Sequence, residues 1–308
     1  MTSQPRPSTI GPGLAYALGA YVLWGGMPVY FLLLAPAGPI EIVAWRVVLS
    51  LVFCGILLTV VRGWGAFLAI VRRPRTTFVM GAAGAFIAVN WLVYVFATST
   101  GHVVEASLGY FINPLVTVLL GVVVLRERLR TLQWVAIAVS VIAVVVIAVG
   151  AGTVPWISLV LAASFGLYGL VKKLVGGTVD AVSGLTLETA WLAVPAAVVL
   201  IVLSASGALV TGTQGAAQAV AVGLAGIVTA VPLLLFAAGS RRLPLVYMGL
   251  TQYVAPVLQL VVGVVLLHEQ MDAARWIGFG IVWISLVILT VDSVRAGRRA
   301  PRPIAEPA

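Results

Sequence analysis

The chain has 308 residues, of which 62% are hydrophobic and only 9% are charged. A soluble domain carries about 25% charged residues, so this composition excludes a water-exposed globule, and it is far too apolar for a disordered chain. The single cysteine, Cys54, excludes a disulfide framework. The remaining class is a membrane protein with many spanning helices, each of which needs about 20 apolar residues.

Ten apolar runs follow one another along the chain, and none alternates with period two, which argues against a β-barrel. We predict membrane spans over residues 14–34, 40–61, 77–98, 103–124, 132–150, 155–171, 181–204, 218–239, 244–267 and 273–291. Between the second and third spans, residues 62–75 combine Trp64 and Phe67 with Arg72 and Arg73. This mixture predicts a short helix lying on the membrane surface. The fold class is therefore an all-α membrane protein of ten transmembrane helices.

The basic residues indicate the topology. Sixteen of the eighteen Lys and Arg residues fall on one side when the loops are assigned alternately to two sides: Arg6, Arg62, Arg72, Arg73, Arg75, Arg126, Arg128, Arg130, Lys172, Lys173, Arg241, Arg242, Arg295, Arg298, Arg299 and Arg302. Positive loops stay in the cytoplasm, which predicts a bacterial-type inner (plasma) membrane protein with both tails, residues 1–13 and 293–308, inside. Because the cations come in short bursts and not on one polar face, no nucleic-acid partner is expected.

The chain contains an internal repeat. A shift of 142 residues superposes prolines, glycines, glutamates and tryptophans: Gly84 on Gly226, Pro114 on Pro256, Gly121 on Gly263, Glu127 on Glu269, and Trp134 on Trp276. We therefore predict two five-helix repeats, residues 14–150 and 155–292. Since five is odd, the second copy enters the membrane in the opposite orientation. Inverted repeats are typical of secondary transporters, whose binding site lies near the midplane between the halves.

These features resemble the EamA family of the drug/metabolite transporter superfamily. Four segments are similar to the RarD branch: Glu105–Gly121, Leu185–Thr189, Thr229–Leu245 and Thr251–Gln259. The resemblance covers about residues 14–292 and implies a transporter without identifying its cargo. In Phe96–Thr100 the chain departs from the Trp- and Asn-bearing stretch that the branch leads us to expect, so substrate specificity is not carried over.

Two charged residues lie inside predicted spans, Arg46 in the second and Glu188 in the seventh, and the 142-residue shift superposes them. Charges in a span are costly, so they are functional candidates by default. They are predicted to present a cation and an anion to a substrate pathway, with Glu188 also a candidate proton carrier; alternatively each is paired inside the bundle for packing. Glu105, near the outer end, is either a gate or proton carrier, or a carboxylate exposed at the interface.

Polar, aromatic and proline residues of the third, fourth, eighth and ninth spans complete the predicted pathway: Asn90, Trp91, Tyr110, Asn113, Pro114, Thr229, Pro232, Gln252, Tyr253, Pro256 and Gln259. Pro114 and Pro256 are repeat-equivalent, and each removes a backbone hydrogen bond in mid-span. Paired interruptions of this kind indicate a transport site, although they also shape a bundle. Trp24, Tyr30 and Tyr168 either stack on a substrate or belong to interfacial aromatic belts.

The functional prediction is a secondary active transporter of a small amphipathic organic metabolite or drug, working by alternating access, with proton coupling as an option. The alternative is a non-transporting membrane scaffold or sensor. An enzyme is not expected, because the spans lack clustered catalytic groups. His102 and His268 are too few for a zinc site, and the absence of a GxxxxGK[ST] motif excludes ATP coupling, so no metal or cofactor is expected. The expected partners are the substrate and the lipid bilayer; the oligomeric state is left open.

Overall fold

The computed structural model describes residues 7–126, 128–175, 178–243 and 245–299. Arg6, Glu127, Arg302 and the ends of both predicted tails lie outside the described residues. The helices are α1 (Pro7–Leu32), α2 (Pro39–Val60), α3 (Trp64–Val71), α4 (Pro74–Ser99), α5 (Val103–Leu125), α6 (Thr131–Ala151), α7 (Trp156–Val175), α8 (Ala181–Ala205), α9 (Ala216–Gly223), α10 (Ala225–Ser240), α11 (Leu245–Thr251), α12 (Val254–Val261) and α13 (Ala273–Arg299), with a π-helical turn over Val262–Leu266.

Nine helical segments in the described part of the chain are long and apolar enough to cross a membrane. They match nine of the ten predicted spans, with α9 and α10 together forming the eighth, and α3 lies where a short helix was predicted. The ninth prediction, a single span over 244–267, is wrong in one respect. The segment is divided at Gln252 and Tyr253 into α11 and α12 and ends in the π-helical turn, so its longest apolar stretch is only Val254–Leu266.

Local sequence explains several helix ends. Pro39 and Pro74 occupy the first turns of α2 and α4, where a missing N–H leaves no bond unmade. Asp180 caps α8, since one carboxylate oxygen accepts hydrogen bonds from the backbone N–H groups of Val182 and Ser183, both at 3.0 Å. Gly152 ends α6 with a φ of +66°, a left-handed conformation that glycine adopts at little cost.

The surface of the bundle is apolar, while several charged and polar side chains are buried within its largely apolar interior. Val60 and Val149 are 72% and 76% exposed, whereas Arg46, Asn90 and Glu188 are buried. In water this surface would be a continuous aggregation-prone patch; in a bilayer it contacts acyl chains. The described helices therefore form a multi-pass membrane protein.

Helices from the first part of the chain pack mainly on helices from the second. The α2 helix packs on α8, and α6 packs on α13. The α4 and α5 helices both pack on α7, and α10 and α12 both pack on α1. Among the described residues these contacts between the two parts are the most extensive, so the interior lies at the interface between them.

Two glycines allow these helices to approach backbone to backbone. A Cβ atom on Gly84 of α4 would lie 3.1 Å from the carbonyl oxygen of Glu188 on α8. A Cβ on Gly226 of α10 would overlap the carbonyl oxygen of Leu49 on α2, a backbone atom that cannot rotate away. Small residues of this kind drive close helix packing in membranes, where apolar burial contributes little.

Gly226→Ala is therefore expected to destabilise the protein by about 1–3 kcal/mol, because α10 must move away from α2. Gly223→Ala is the matched control, because a Cβ atom there meets no atom within 4 Å. The free energy of unfolding in detergent micelles measures both. Equal stability of the two variants would contradict the close approach.

Candidate functional site

Arg46 is the central feature of the interior. It lies on α2, about 10 Å along the axis from the start of the helix at Pro39, and is only 6% exposed. Its Nε donates a hydrogen bond to the Thr229 hydroxyl of α10 at 2.8 Å. Thr229 in turn donates its own hydroxyl hydrogen to the carbonyl of Ala225 at 2.7 Å, which leaves the oxygen lone pairs to face the guanidinium.

Aromatic rings form the wall around this cation. The Arg46 Cζ lies 4.2 Å from the ring centroid of Trp91 on α4 and 5.5 Å from that of Phe31 on α1. The rings of Tyr30 and Tyr94 pack against Phe31, with centroids 5.5 and 5.9 Å apart, and Tyr110 packs edge-on against Tyr94 at 5.5 Å. We call this set, together with Thr229, the Arg46 pocket. Cation–π contacts in a desolvated site contribute about 2 kcal/mol each, so the rings partly replace water around the charge.

Asn90 holds the pocket wall in position. Its Oδ1 accepts a hydrogen bond from the Tyr110 hydroxyl of α5 at 2.9 Å. Its Nδ2 donates to the carbonyl of Leu161 and to the hydroxyl of Ser164 on α7, both at 3.2 Å. One amide therefore connects α4, α5 and α7, and its hydrogen-bonding groups are satisfied by protein.

The charge of Arg46 is not neutralised within the described chain. None of the ion pairs between described residues involves it, and Nε is the one nitrogen in a hydrogen bond there. A buried cation without a carboxylate is electrostatically incomplete, and an anion that entered the pocket would be strongly stabilised. The planar guanidinium suits a carboxylate, which it binds through two parallel hydrogen bonds.

Glu188 forms a second, separate cluster. It lies on α8 and is 1% exposed. Its Oε1 is 2.7 Å from Lys172 Nζ, and its Oε2 accepts a hydrogen bond from the Tyr168 hydroxyl at 3.3 Å, both on α7. This charge is therefore compensated inside the protein, in contrast to that of Arg46.

The Lys172 contact corrects the predicted end of the sixth span. Lys172 was assigned to a cytoplasmic loop after a span ending at residue 171, but α7 continues to Val175 and the ammonium contacts a buried carboxylate. An apolar cluster that contains Trp91 and Leu185, with Tyr168 packed against it, lies between the two charged clusters. Arg46 and Glu188, superposed by the repeat, thus have different partners.

Of the other predicted pathway residues, the structure brings Asn90, Trp91, Tyr110 and Thr229 to Arg46. Gln259 of α12 is buried and donates from Nε2 to the carbonyl of Trp24 at 3.2 Å. The remaining residues differ in their surroundings: Pro232 is buried in α10, Pro114 lies within an uninterrupted α5, and Asn113 has a buried Oδ1 without a partner near Gly166.

Gln252, Tyr253 and Pro256 lie at the break between α11 and α12. Pro256 cannot donate to the carbonyl of Gln252, four residues earlier, which is where the helix is interrupted. Tyr253 interacts with Gln252 and with Thr290 of α13. It lines an apolar groove of about 700 Å³ on the lipid-facing side, between α5, α12 and α13, away from Arg46. The structure therefore places Tyr253 in this groove and not in the Arg46 pocket.

Three carboxylates bond to backbone at one end of the bundle. Glu105 Oε1 accepts from the N–H of Ile157 at 3.0 Å, at the start of α7. Glu269 accepts from the N–H groups of Val103 at 2.6 Å and Val104 at 2.9 Å, at the start of α5. Glu41, which sequence analysis did not single out, accepts from the N–H groups of Val210 and Thr211 at 3.1 and 2.7 Å. Glu105 is thus an interhelical contact in this conformation.

Sequence analysis also missed Phe31, Tyr94 and Lys172. Tyr94 follows Asn90 by four residues and Trp91 by three, which places all three on one face of α4. Tyr168 and Lys172 are likewise four residues apart on α7. These spacings alone indicate that Tyr94 and Lys172 lie beside the predicted site residues. The sequence does not single out Phe31 as a neighbour of Arg46, because it is one of many aromatic residues near the ends of spans.

The EamA-like transporter family matches residues 11–149. Protein RarD of Streptomyces exfoliatus is 45% identical over 304 residues, covering 96% of each chain. Protein RarD of Escherichia coli is 36% identical over 290 residues, covering 94% of this chain and 97% of that one. A crystal structure with 21% identity shares the fold, with a TM-score of 0.59 over 94% of this chain and 99% of that one.

The structure defines the class as a multi-pass helical membrane protein. Its interior holds one arginine, Arg46, whose charge has no carboxylate partner among the described residues. With these relatives over nearly its full length, the chain belongs to the RarD branch of the EamA family. It is accordingly a membrane transporter.

A double-mutant cycle measures the coupling between Glu188 and Lys172. Lys172→Met leaves a buried carboxylate without its cation and is expected to reduce the free energy of unfolding by about 1–3 kcal/mol. Adding Glu188→Gln removes the stranded charge and should restore most of that loss. Unfolding in mixed micelles measures each variant.

Asp272→Asn is the matched control for the cycle, since Asp272 pairs with Arg275 at 3.9 Å on the surface. Exposed pairs of this kind contribute about 0–1 kcal/mol. A double variant no more stable than Lys172→Met alone would contradict the coupling of the two charges.

Proposed function

We propose that this chain is a secondary active transporter of a small amphipathic organic anion, a metabolite or drug, which it moves across the bacterial-type inner (plasma) membrane by alternating access. The observation that carries this proposal is the Arg46 pocket: a buried guanidinium with no carboxylate partner in the described chain, walled by aromatic rings. The cation selects a carboxylate, and the rings accommodate an apolar or aromatic body.

The proposed architecture is ten spans arranged as two inverted five-helix repeats, residues 14–150 and 155–292. Helix packing supports it. Under the 142-residue shift α1 corresponds to α7, α4 to α9 and α10, and α5 to α11 and α12. The packing of α4 on α7 then corresponds to that of α10 on α1, and the packing of α5 on α7 to that of α12 on α1. The α2–α8 and α6–α13 pairs each correspond to themselves, as expected of an axis passing between them.

The equivalent glycines give independent support. Gly84 and Gly226 are superposed by the shift, and each contacts a helix backbone of the other proposed repeat, α8 and α2 respectively. The Arg46 pocket also draws on both repeats, with Thr229 coming from the second. When a binding site lies between two halves of a protein, movement of one half relative to the other opens the site to one side of the membrane or the other.

Alternating access requires that the substrate pathway is closed at one end of the bundle. Hydrogen bonds of three carboxylates join the two proposed repeats at one end. Glu41, Glu105 and Glu269 each accept hydrogen bonds from backbone of the opposite proposed repeat. With both tails cytoplasmic, as the basic loops predict, this end faces outward. Hydrogen bonds that charged carboxylates accept from backbone N–H groups are stronger than hydrogen bonds between neutral groups. They nevertheless break without a change in either helix. We infer that these contacts close the outer end in this conformation.

Glu269→Gln is expected to weaken the outer closure, because glutamine offers one acceptor oxygen where Glu269 uses two. Ser107→Cys, in a background with Cys54→Ala, reports on the opening: Ser107 is fully buried on α5, one turn below Val103. Labelling by an impermeant maleimide from outside should rise roughly tenfold, which corresponds to about 1.4 kcal/mol.

Asp272→Asn serves as the control for this experiment. Its carboxylate lies at the same end but accepts a hydrogen bond from the N–H of Arg275 in the adjoining first turn of α13, at 2.7 Å. Labelling that is unchanged in Glu269→Gln, or raised equally by Asp272→Asn, would contradict an outer closure made by Glu269.

Proton coupling is the finer part of the proposal. The Glu188 carboxylate pairs with Lys172, which is one-third exposed, and accepts from Tyr168. Protonation of Glu188 would release the ammonium and break the ion pair that joins α7 to α8. A buried carboxylate held by one lysine is thus a suitable proton carrier, and export against inward proton flow is the preferred direction.

Uptake of organic acids into proteoliposomes tests the function. Arg46→Ala is expected to reduce flux at least tenfold, whereas Arg46→Lys, which keeps the charge but loses the planar fork, should retain a fraction of it. Asp272→Asn should transport like the parent protein. The parent assay is run with and without an imposed pH gradient.

The outcomes separate the alternatives. Equal flux with and without the gradient would reject proton coupling, and normal flux in Arg46→Ala would reject the assigned pocket. The absence of flux for every organic acid in the folded parent protein would favour the alternative, a non-transporting membrane scaffold or sensor.

A further inference from the structure

The apolar groove of about 700 Å³ on the lipid-facing side of the bundle arises from the way α12 and α13 pack. The α12 helix packs on α1 and α5, whereas α13, which follows it in the chain, packs mainly on α6. The two helices therefore diverge, and the π-helical turn over Val262–Leu266 ends the ninth segment beside the gap. Phe111 of α5 lies at the floor of the groove.

The walls of the groove suit a hydrocarbon ligand. Val257 of α12 and Trp283 and Val287 of α13 line it, and each is at least 39% exposed. Two further lining side chains, Tyr253 and Thr290, hydrogen-bond to each other, which leaves little for a polar ligand to bind. An unfilled gap between apolar walls loses dispersion contacts, and in a membrane such contacts are a main source of packing energy. The groove therefore favours an apolar chain.

The dimensions of the groove distinguish an acyl chain from a helix. Its lining extends along α13 from Trp276 to Val291, which is about 22 Å of helix. One leaflet contributes about 15 Å of hydrocarbon, so the groove is long enough for a complete acyl chain. A helix of the same length and about 10 Å across occupies roughly 1,700 Å³, more than twice the volume of the groove. A flexible chain fits this space, and a spanning helix does not.

A cation lies beyond one end of the groove. Arg295 follows the lining residue Val291 by four positions, so it lies one turn further along the same face of α13. Its side chain is exposed, and none of the ion pairs between described residues includes it. The neighbouring carboxylate, Asp292, is buried and bound by Arg130 at 2.6 Å. The basic loops predict that this end is cytoplasmic, where anionic headgroups attract arginine.

We propose that the groove is a binding site for one anionic phospholipid, whose acyl chain fills the gap between α12 and α13 and whose headgroup binds Arg295. The site goes beyond the proposed transport function, since it involves neither Arg46 nor Glu188. The acyl chain restores the packing that the divergence of the two helices removes. It also contacts Tyr253, at the break between α11 and α12, and so supports the ninth segment where its own helix is interrupted.

Native mass spectrometry of the delipidated full-length protein tests the site, because it measures the affinity for the first lipid and the oligomeric state together. The probes are dioleoyl phosphatidylglycerol and dioleoyl phosphatidylcholine, which have the same acyl chains and differ in net headgroup charge. Phosphatidylglycerol should bind roughly fivefold more tightly, the factor expected of one arginine at a membrane surface.

Two variants separate the chain from the headgroup. Val287→Trp fills the groove from α13 and should weaken the binding of both lipids roughly tenfold. Its matched control is Val194→Trp on α8, because Val194 is 71% exposed and does not line the groove. Arg295→Gln should remove the preference for phosphatidylglycerol, while the affinity for phosphatidylcholine stays within about twofold. Arg72→Gln, at the exposed end of α3, is its control and should keep the preference.

Three results would overturn the proposal. Equal affinity of the parent protein for the two lipids, or a preference that survives Arg295→Gln, would reject the headgroup site. Lipid binding that is unchanged in Val287→Trp would reject the groove. A lipid-free dimer of the parent protein that Val287→Trp dissociates would show that a second copy of the chain covers the groove. All four substituted side chains are exposed, so each variant is expected to fold.

Discussion

The Arg46 guanidinium lies where a membrane protein can least easily hold a charge, and the surrounding structure is arranged to make this possible. An arginine at the centre of an isolated span costs about 2.5–3.5 kcal/mol on insertion scales. Here the rings of Phe31 and Trp91 and the hydroxyl of Thr229 stand in for water. These neighbours come from α1, α4 and α10, so the charge is accommodated only when helices from both parts of the chain are packed around it. The pocket and the fold therefore depend on each other.

The two charged clusters of the interior differ in whether neighbouring protein groups neutralise their charge. Glu188 has a cation at 2.7 Å and a hydroxyl donor, so its charge is balanced by protein. Arg46 has rings and one hydroxyl, but no carboxylate in the described chain. A balanced buried pair stabilises a conformation until protonation alters it, whereas an unbalanced cation attracts an anion from outside. Under the proposed function, the first cluster is suited to coupling and the second to substrate.

The contacts between helices are also of two kinds, which bears on how such a protein could move. Gly84 and Gly226 allow backbone contact of α4 with α8 and of α10 with α2, and contacts this close leave no room for sliding. The carboxylates of Glu105 and Glu269 instead hold helix starts through a few hydrogen bonds at one end of the bundle. Breaking the latter costs little packing. Opening at that end, with the glycine contacts as pivots, is the motion that this division favours.

The sequence alone determined the membrane class, nine of the spans, the family and the candidate charges, because apolar run length and the high cost of intramembrane charge leave a local signal. It also named Asn90, Trp91 and Thr229 as candidate pathway residues, and these lie near Arg46 in the structure. Only the tertiary structure decided which candidates meet. It assigned Lys172 to Glu188, brought Tyr94 and Phe31 to Arg46, and moved Tyr253 to a lipid-facing groove. Side-chain neighbours of this kind depend on helix rotation and on contacts between residues more than 100 positions apart, such as Arg46 with Thr229, which no local pattern encodes.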